Sequence, residues 1–238
     1  MSNSGDYTVG WIWAHGTEYV AAQAFLDEIH EGPEHVSPND NNDYTLGKIG
    51  KHNLVIAILP DGEYGTASAA IVARDMLHSF PNVRIGLMVG IGGGAPSRQH
   101  DIRLGDIVVS APRDGKGGVF QYDFGKTIQD QNFRTTEFLN QPPTVLRTAM
   151  TGLKAQYEIS GHQLEEAINN ILEKKPRLVK KYKRPDTSTD RLFKPEVTHD
   201  SSCTIDYAHD PSNLKLRSER KKEENNLVVH YGIIASAN

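Results

Sequence analysis

Residues 7–28 read YTVGWIWAHGTEYVAAQAFLDE, and the two halves of this stretch follow different periodicities. Tyr7 to Ala14 is a short, nearly unbroken run of β-branched and aromatic residues, which predicts a buried strand ended by His15-Gly16. Thr17 stands where a helix N-cap is expected, and Val20, Ala21, Ala24, Phe25 and Leu26 follow at spacings that share a helical face. A buried strand running directly into an amphipathic helix is the opening unit of an α/β fold. It places Glu18 in the first helical turn, at the carboxyl edge of the strand, where α/β proteins bind ligands. An acid in a first turn also complements the helix dipole with no ligand present. The residues alone leave both readings open.

Outward from this unit, Glu31 to Asp43 is rich in turn formers and predicts a loop. Tyr44 to Ile49 and Asn53 to Leu59 predict two strands joined as a hairpin through Gly50-Lys51-His52-Asn53, and Pro60-Asp61-Gly62 ends the second. Thr66 to His78 (TASAAIVARDMLH) is alanine-rich with apolar residues at helical spacing. Ile85 to Val89 predicts another buried strand. It enters Gly90-Ile91-Gly92-Gly93-Gly94, where missing Cβ atoms let backbone approach a ligand and free amide N–H groups to donate. The run lacks the spacing of a dinucleotide fingerprint and the Gly-Lys-Ser/Thr of a P-loop, and a plain tight turn explains it equally well. Ile107 to Ser110 predicts a strand, Gln141 to Tyr157 a helix and Leu227 to Ser236 a core strand. Strands alternating with helices, apolar on both faces, imply a mixed sheet covered by helices.

Composition bounds the function. The chain has 238 residues, enough for one large domain, and a net charge of −4, which argues against a general nucleic-acid binder and against a basic membrane-surface protein. A single cysteine, Cys203, excludes an internal disulfide and a cysteine-rich metal site, and the histidines show no metal-ligand spacing. No metal or cofactor is expected. The N-terminus lacks a signal-peptide pattern and no apolar run approaches the ~18 residues that span a bilayer, so a cytoplasmic location is expected. The mean hydropathy of −0.51 is set mostly by residues after Gln156. Residues 158–226 read as a polar insertion, expected to be partly disordered, within a single domain spanning 1–238. Between Lys174 and Lys194 nine basic residues face two acids. A solvated surface explains them; a sharper reading has Lys180, Lys181 and Arg184 meeting the phosphates of a nucleotide.

The order strand, Glu-bearing helix, hairpin, helix, strand with GIGGG, then DIRLGDIVVSAP and HYGIIASAN, resembles the purine/uridine phosphorylase superfamily. Within it, the chain is most similar to domains at the N-termini of large fungal immune-receptor-like proteins. The likeness covers Tyr7 to about Tyr157 and His230 to Asn238. It implies a three-layer α/β/α sandwich around a mixed, partly closed sheet, and cleavage of the N-glycosidic bond of a purine nucleoside or nucleotide, ATP included. It also implies a homo-oligomer or one part of a multidomain protein. By the same likeness Glu18 positions the attacking water, Gly90, Ile91, Gly92 and Gly93 flank base and ribose, and Gly65 and Thr66 lie near the sugar. Members that use phosphate hold it with two arginines and a serine; this chain has Ala14-His15-Gly16-Thr17, Met88 and Ile91 at those places. A dianion without fixed donors binds poorly, so water is the expected nucleophile unless Arg98 or Arg103 reaches in.

The chain departs from the superfamily at its end, where a base-stacking aromatic, a Met-Glu ribose clamp and an Asp that protonates the base would follow HYGIIASAN. His15-Gly16 stands where Leu-Pro is usual, and Trp13 where a small residue is usual. Weak or absent turnover and self-association through uncovered sheet surface are expected. Hydrolysis, phosphorolysis, and a non-catalytic nucleotide-binding or scaffold role are the alternatives carried forward.

Overall fold

A computed structural model of the chain describes residues 1–97, 99–127, 133–135, 139–197, 211–220 and 227–236. The core is a mixed sheet formed by β1 (Val9–Trp13), β2 (Glu28–Ile29), β3 (Tyr44–Ile49), β4 (His52–Ile58) and β5 (Ile85–Met88), in the order β2-β3-β4-β1-β5. Strand β1 runs parallel to both β4 and β5, while β2, β3 and β4 are antiparallel. The hairpin turns at Gly50-Lys51, pairing Ile49 with His52.

Side chains alternate across a strand, and β4 shows what each face does. Val55 and Ala57, with Leu59 just beyond, pack with Tyr7, Leu46, Phe80, and Val72 and Met76 of α2 (Thr66–Ser79). Ile56 points the other way, into a cluster with Trp13 and with Ala22 of α1 (Gly16–Ala24). The two helices therefore cover opposite faces of the sheet. This explains why β4 reads as an unbroken apolar run: both of its faces are interior. Fully burying an aliphatic side chain stabilises by about 1.5–3 kcal/mol, so these central strands dominate stability. Helix α2 lies close enough on β1 that a Cβ on Gly10 would stand 2.6 Å from Met76 Sδ.

The second half is built from shorter pieces. These are β6 (Ile107–Ser110), β7 (Val119–Gln121), β8 (Gly125–Lys126), β9 (Arg134–Thr135), α3 (Thr144–Ser160), α4 (Leu164–Lys174), α5 (Pro176–Tyr182), β10 (Val229–Gly232) and β11 (Ile234–Ser236). Strand β10 pairs parallel with β6, β11 pairs parallel with β7, and β8 pairs antiparallel with β9.

Several expectations are corrected here. Among the described residues the sheets are open: one of five strands and three of two, with β5 at an edge. At that edge Met88 is 67% exposed, so β5 is not a buried strand, because β1 alone flanks it. The stretch Leu227 to Ser236 breaks at Ile233 into two half-covered strands that pair with different partners. Helix α1 is capped at His15 rather than Thr17, since Glu18 sits at the third helical position and accepts from the His15 N–H. The expected polar insertion, 158–226, is not among these corrections: it holds α4 and α5, and its residues 198–210 and 221–226, with Cys203, lie outside the described residues. No helix among the described residues is long and apolar enough to cross a membrane.

Candidate functional site

The parallel pairings bring three chain exits to one edge. Trp13, the last residue of β1, is level with Ile58 at the end of β4, and Ile12 is level with Met88 at the end of β5. The β1–α1 turn, the β4–α2 loop and the glycine run therefore leave the sheet side by side. The chain passes from β1 to one side of the sheet and later returns past β1 to lay down β5, so the strand order reverses beside β1. Such a reversal, at the carboxyl ends of parallel strands, opens a crevice in which α/β folds bind ligands.

Glu18 lies at this edge. Its Oε2 accepts from the N–H of Ala14 at 3.2 Å and of His15 at 2.9 Å, and its Oε1 accepts from the N–H of Ile91 at 2.7 Å. The residue is only 4% exposed. The first two bonds are local, and the one from His15 satisfies the N-cap donor of the helix. The third reaches 73 residues along the chain and fastens the glycine loop to the α1 turn. A carboxylate offers about four acceptor sites, and three are taken, leaving one on Oε1 beside the loop.

The glycines of the loop differ in what surrounds them. A Cβ on Gly90 would lie 3.0 Å from Glu18 Oε1, so that position is glycine to let the carboxylate pass. Cβ atoms on Gly92 or Gly93 would meet nothing within 4 Å, and Ile91 is 81% exposed. Gly90→Ala is expected to displace the carboxylate, weaken the Ile91 bond and cost about 1 kcal/mol in a denaturant titration. Gly93→Ala serves as the control and leaves stability unchanged. Equal losses in the two variants would mean that contact with Glu18 is not what Gly90 provides.

Gly65 caps the N-terminus of α2 with φ of 93°, a conformation that favours glycine, and Thr66 begins the helix. Both belong to the β4–α2 loop at the same sheet edge. The cations singled out in the sequence are placed differently. Arg103 donates through Nε and Nη2 to Asp101 Oδ2 at 2.8 and 2.5 Å, and through Nη2 to the Ser218 carbonyl. Arg184 Nε donates to the Leu104 carbonyl at 3.1 Å, and its Nη2 lies 3.8 Å from Asp106. Lys180 and Lys181 are exposed on α5. Arg98 lies outside the described residues.

Sequence reasoning missed the centre of this second cluster. Asp106, with no exposed side-chain surface, accepts from Arg220 Nη1 and Nη2 at 2.8 and 2.6 Å. It also accepts from His230 Nε2 at 3.0 Å and from the N–H groups of Arg103 and Val228 at 2.9 and 3.1 Å. Burial opposes its ionisation, but the hydrogen bonds from Arg220, His230 and the two backbone groups outweigh burial and hold its carboxyl well below the usual carboxylate range. Arg217 bridges Asp190, at 2.6 Å, to the Ile102 carbonyl. The arrangement is a clasp: it ties 184–190, 217–220 and β10 to the turn before β6. His230 and His15 thus have supporting roles, one in the clasp and one as a helix cap. Among the described residues no group of three or more His, Cys, Asp or Glu could hold a metal ion.

No family model matches the chain and no solved structure matches it. Over 233 residues, 98% of its length, it is 43% identical to a protein of Hyaloscypha variabilis named nucleotide-binding leucine-rich repeat (NLR)-like protein. The chain spans 22% of that relative's length, so it is similar to about a fifth of an NLR-like protein.

Proposed function

We propose that the chain binds a purine nucleoside or nucleotide at the Glu18–glycine-loop edge and cleaves its N-glycosidic bond with water, as one part of a larger protein. The reading takes the fold to be a sandwich of the nucleoside phosphorylase type, with base and ribose over Gly92 and Gly93 and the sugar toward Gly65 and Thr66. The observation that carries it is Glu18: an oriented carboxylate at the strand-order reversal, with one acceptor site left beside the glycine loop. That site orients the attacking water. A C1′–O bond forms as the C1′–N bond breaks; the base leaves with the electron pair and takes up a proton that water releases. The name of the H. variabilis relative includes nucleotide binding, a statement about the whole of that protein. Lys180 and Lys181, exposed on α5, are the cations proposed to meet a 5′-phosphate; Arg103 and Arg184 already serve carboxylates.

A second reading rests on the same residue. A carboxylate buried among three N–H donors is a sufficient support for the loop, and a domain so built binds a nucleoside without turning it over. Chromatography of free base, after incubation with ATP, AMP, adenosine and inosine with and without phosphate, separates the readings. Slow base release without phosphate is the expected result, in line with the weak turnover expected of this chain. Release that requires phosphate makes the domain a phosphorylase. Ligand binding without release selects the second reading, and the absence of both binding and release overturns the proposal.

A further inference from the structure

Helix α2 joins β4 to β5, two strands of the same direction, so it runs back across the sheet and ends at the edge opposite Glu18. Asp75 stands about 13 Å along its axis from Thr66. There a cavity of about 280 Å³ is lined by Asp40, Arg74, Asp75 and His78, among others. Asp75, His78 and Ser79 are spaced to share one surface of the helix. Ser79 Oγ donates to Asp40 Oδ2, which holds the Asp40 carboxylate beside the helix, one turn from Asp75. Both carboxylates act on the Tyr44 phenol. Burial first, then the hydrogen bond to Asp40 and the charges of Asp40 and Asp75, hold it well above its ordinary value. Tyr44 therefore keeps its proton and donates to Asp40 Oδ2 at 2.7 Å.

The acceptors on this lining are only partly used. Asp40 accepts from Tyr44 and Ser79 at Oδ2, and from the Asn42 N–H at Oδ1 at 2.9 Å. The Asp75 side chain is 7% exposed, and its Oδ1 accepts twice from Arg74, at 2.6 and 2.8 Å. Its Oδ2 has no partner among the described residues, and it is not sealed: it keeps surface on the cavity that Asp75 lines. This buried, unmatched oxygen is what points to a ligand; two neighbouring acids alone would not. With about four acceptor sites per carboxylate, about three remain, one on Asp40 and two on Asp75. A primary ammonium carries three N–H donors. With His78 neutral, two carboxylates against Arg74 leave one negative charge on the lining. The carbonyls that end α2 add partial negative charge at the same place. We propose that this cavity binds a small primary amine in its ammonium form, its N–H groups shared between Asp75 Oδ2 and Asp40 Oδ1. No residue of the Glu18 crevice takes part, so the site is independent of nucleoside cleavage.

The test is run at about pH 8, where a primary amine is protonated and an ordinary histidine is neutral. Butylammonium is the probe. Tetramethylammonium, equal in charge but without N–H donors, is the control. Backbone NMR follows the amides of Ser37 and Asn42, which donate to Ser79 Oγ and Asp40 Oδ1. Millimolar butylammonium is expected to shift them, and tetramethylammonium to bind at least about tenfold more weakly. N-Acetyl-lysine methylamide distinguishes the sources of the ammonium: binding equal to that of butylammonium admits the lysine of a polypeptide, and weaker binding restricts the site to free amines. Asp75→Asn keeps the shape and removes the charge; it is expected to weaken butylammonium binding about tenfold or more. Arg74→Gln withdraws the competing guanidinium, a side chain 60% exposed, and is expected to tighten binding several-fold with the fold intact. Unmoved amides in folded protein, equal binding of the two probes, undiminished binding by Asp75→Asn, or binding not tightened by Arg74→Gln would each overturn the proposal.

Discussion

Asp106→Ala is expected to lower the free energy of unfolding by about 3–5 kcal/mol, the range for removing one partner of a buried ion pair. The loss comes from what is left behind. Arg220, whose side chain is 14% exposed, loses the carboxylate it is bound to and keeps only the more distant Asp101 and Asp190, and the Val228 and Arg103 N–H groups lose their acceptor. Asp106→Asn keeps the shape but sets an amide NH₂ against donors, so it rescues little. The damage is expected to be local. In native-state hydrogen exchange the β10 amides and those of residues 184–190 lose protection, while β1 and β4, buried under α1 and α2, keep theirs. Uniform loss across the sheet would show that the clasp belongs to the main core. The pH dependence has a definite sign. A carboxyl whose folded pKa is depressed contributes stability that is complete above its unfolded value of about 3.9 and is lost as pH falls toward the folded one. The wild-type melting temperature should therefore fall more steeply below about pH 4 than that of Asp106→Asn.

Glu18 is the second position with a large effect, and two substitutions separate its roles. Glu18→Ala strips the acceptor from three backbone donors in a buried place, and a loss of about 3 kcal/mol is expected from chemical denaturation. Glu18→Gln keeps one acceptor oxygen and nearly the same volume, so the loop stays closer to its place. In the proposed hydrolysis, this variant is expected to lower kcat by about 10²–10⁴ with little change in KM, because the amide no longer orients and deprotonates water. A rise in KM with kcat intact would assign Glu18 to loop support, and the domain to ligand binding.

The first ninety residues were legible because their signals are local. Strand-forming residues before a turn mark β3, alanine and helical spacing mark α2, and an apolar run marks β4, whose Leu54, Val55, Ile56 and Ala57 are buried. Glu18 was legible as a helix-start acid. Its bond to Ile91 was not, since that contact exists only because β5 is laid down on the far side of β1 from β4. Spacing along the chain carries no record of strand order. The clasp escaped for the same reason: the Leu104-Gly105-Asp106 turn reads as an ordinary strand entry, and Arg220 lies 114 residues away in a polar stretch. The nearest signal was the excess of arginine and lysine after Lys174, which suggested phosphate; Arg184 instead serves Asp106. The edge position of β5 was equally invisible, because an apolar strand reads alike whether one neighbour or two flank it.

The parallel pairing of β10 with β6 also orders events during synthesis. The strands of the main sheet have all been made by Met88, but Asp106 meets the Val228 N–H across 122 residues of sequence. At about 5–20 residues per second, the ribosome needs on the order of ten seconds to cover that distance. Throughout it the nascent chain carries a finished α/β core and a β6 strand without its neighbour. This is the interval in which a chaperone, or the β6 of a second nascent chain, has access to that strand.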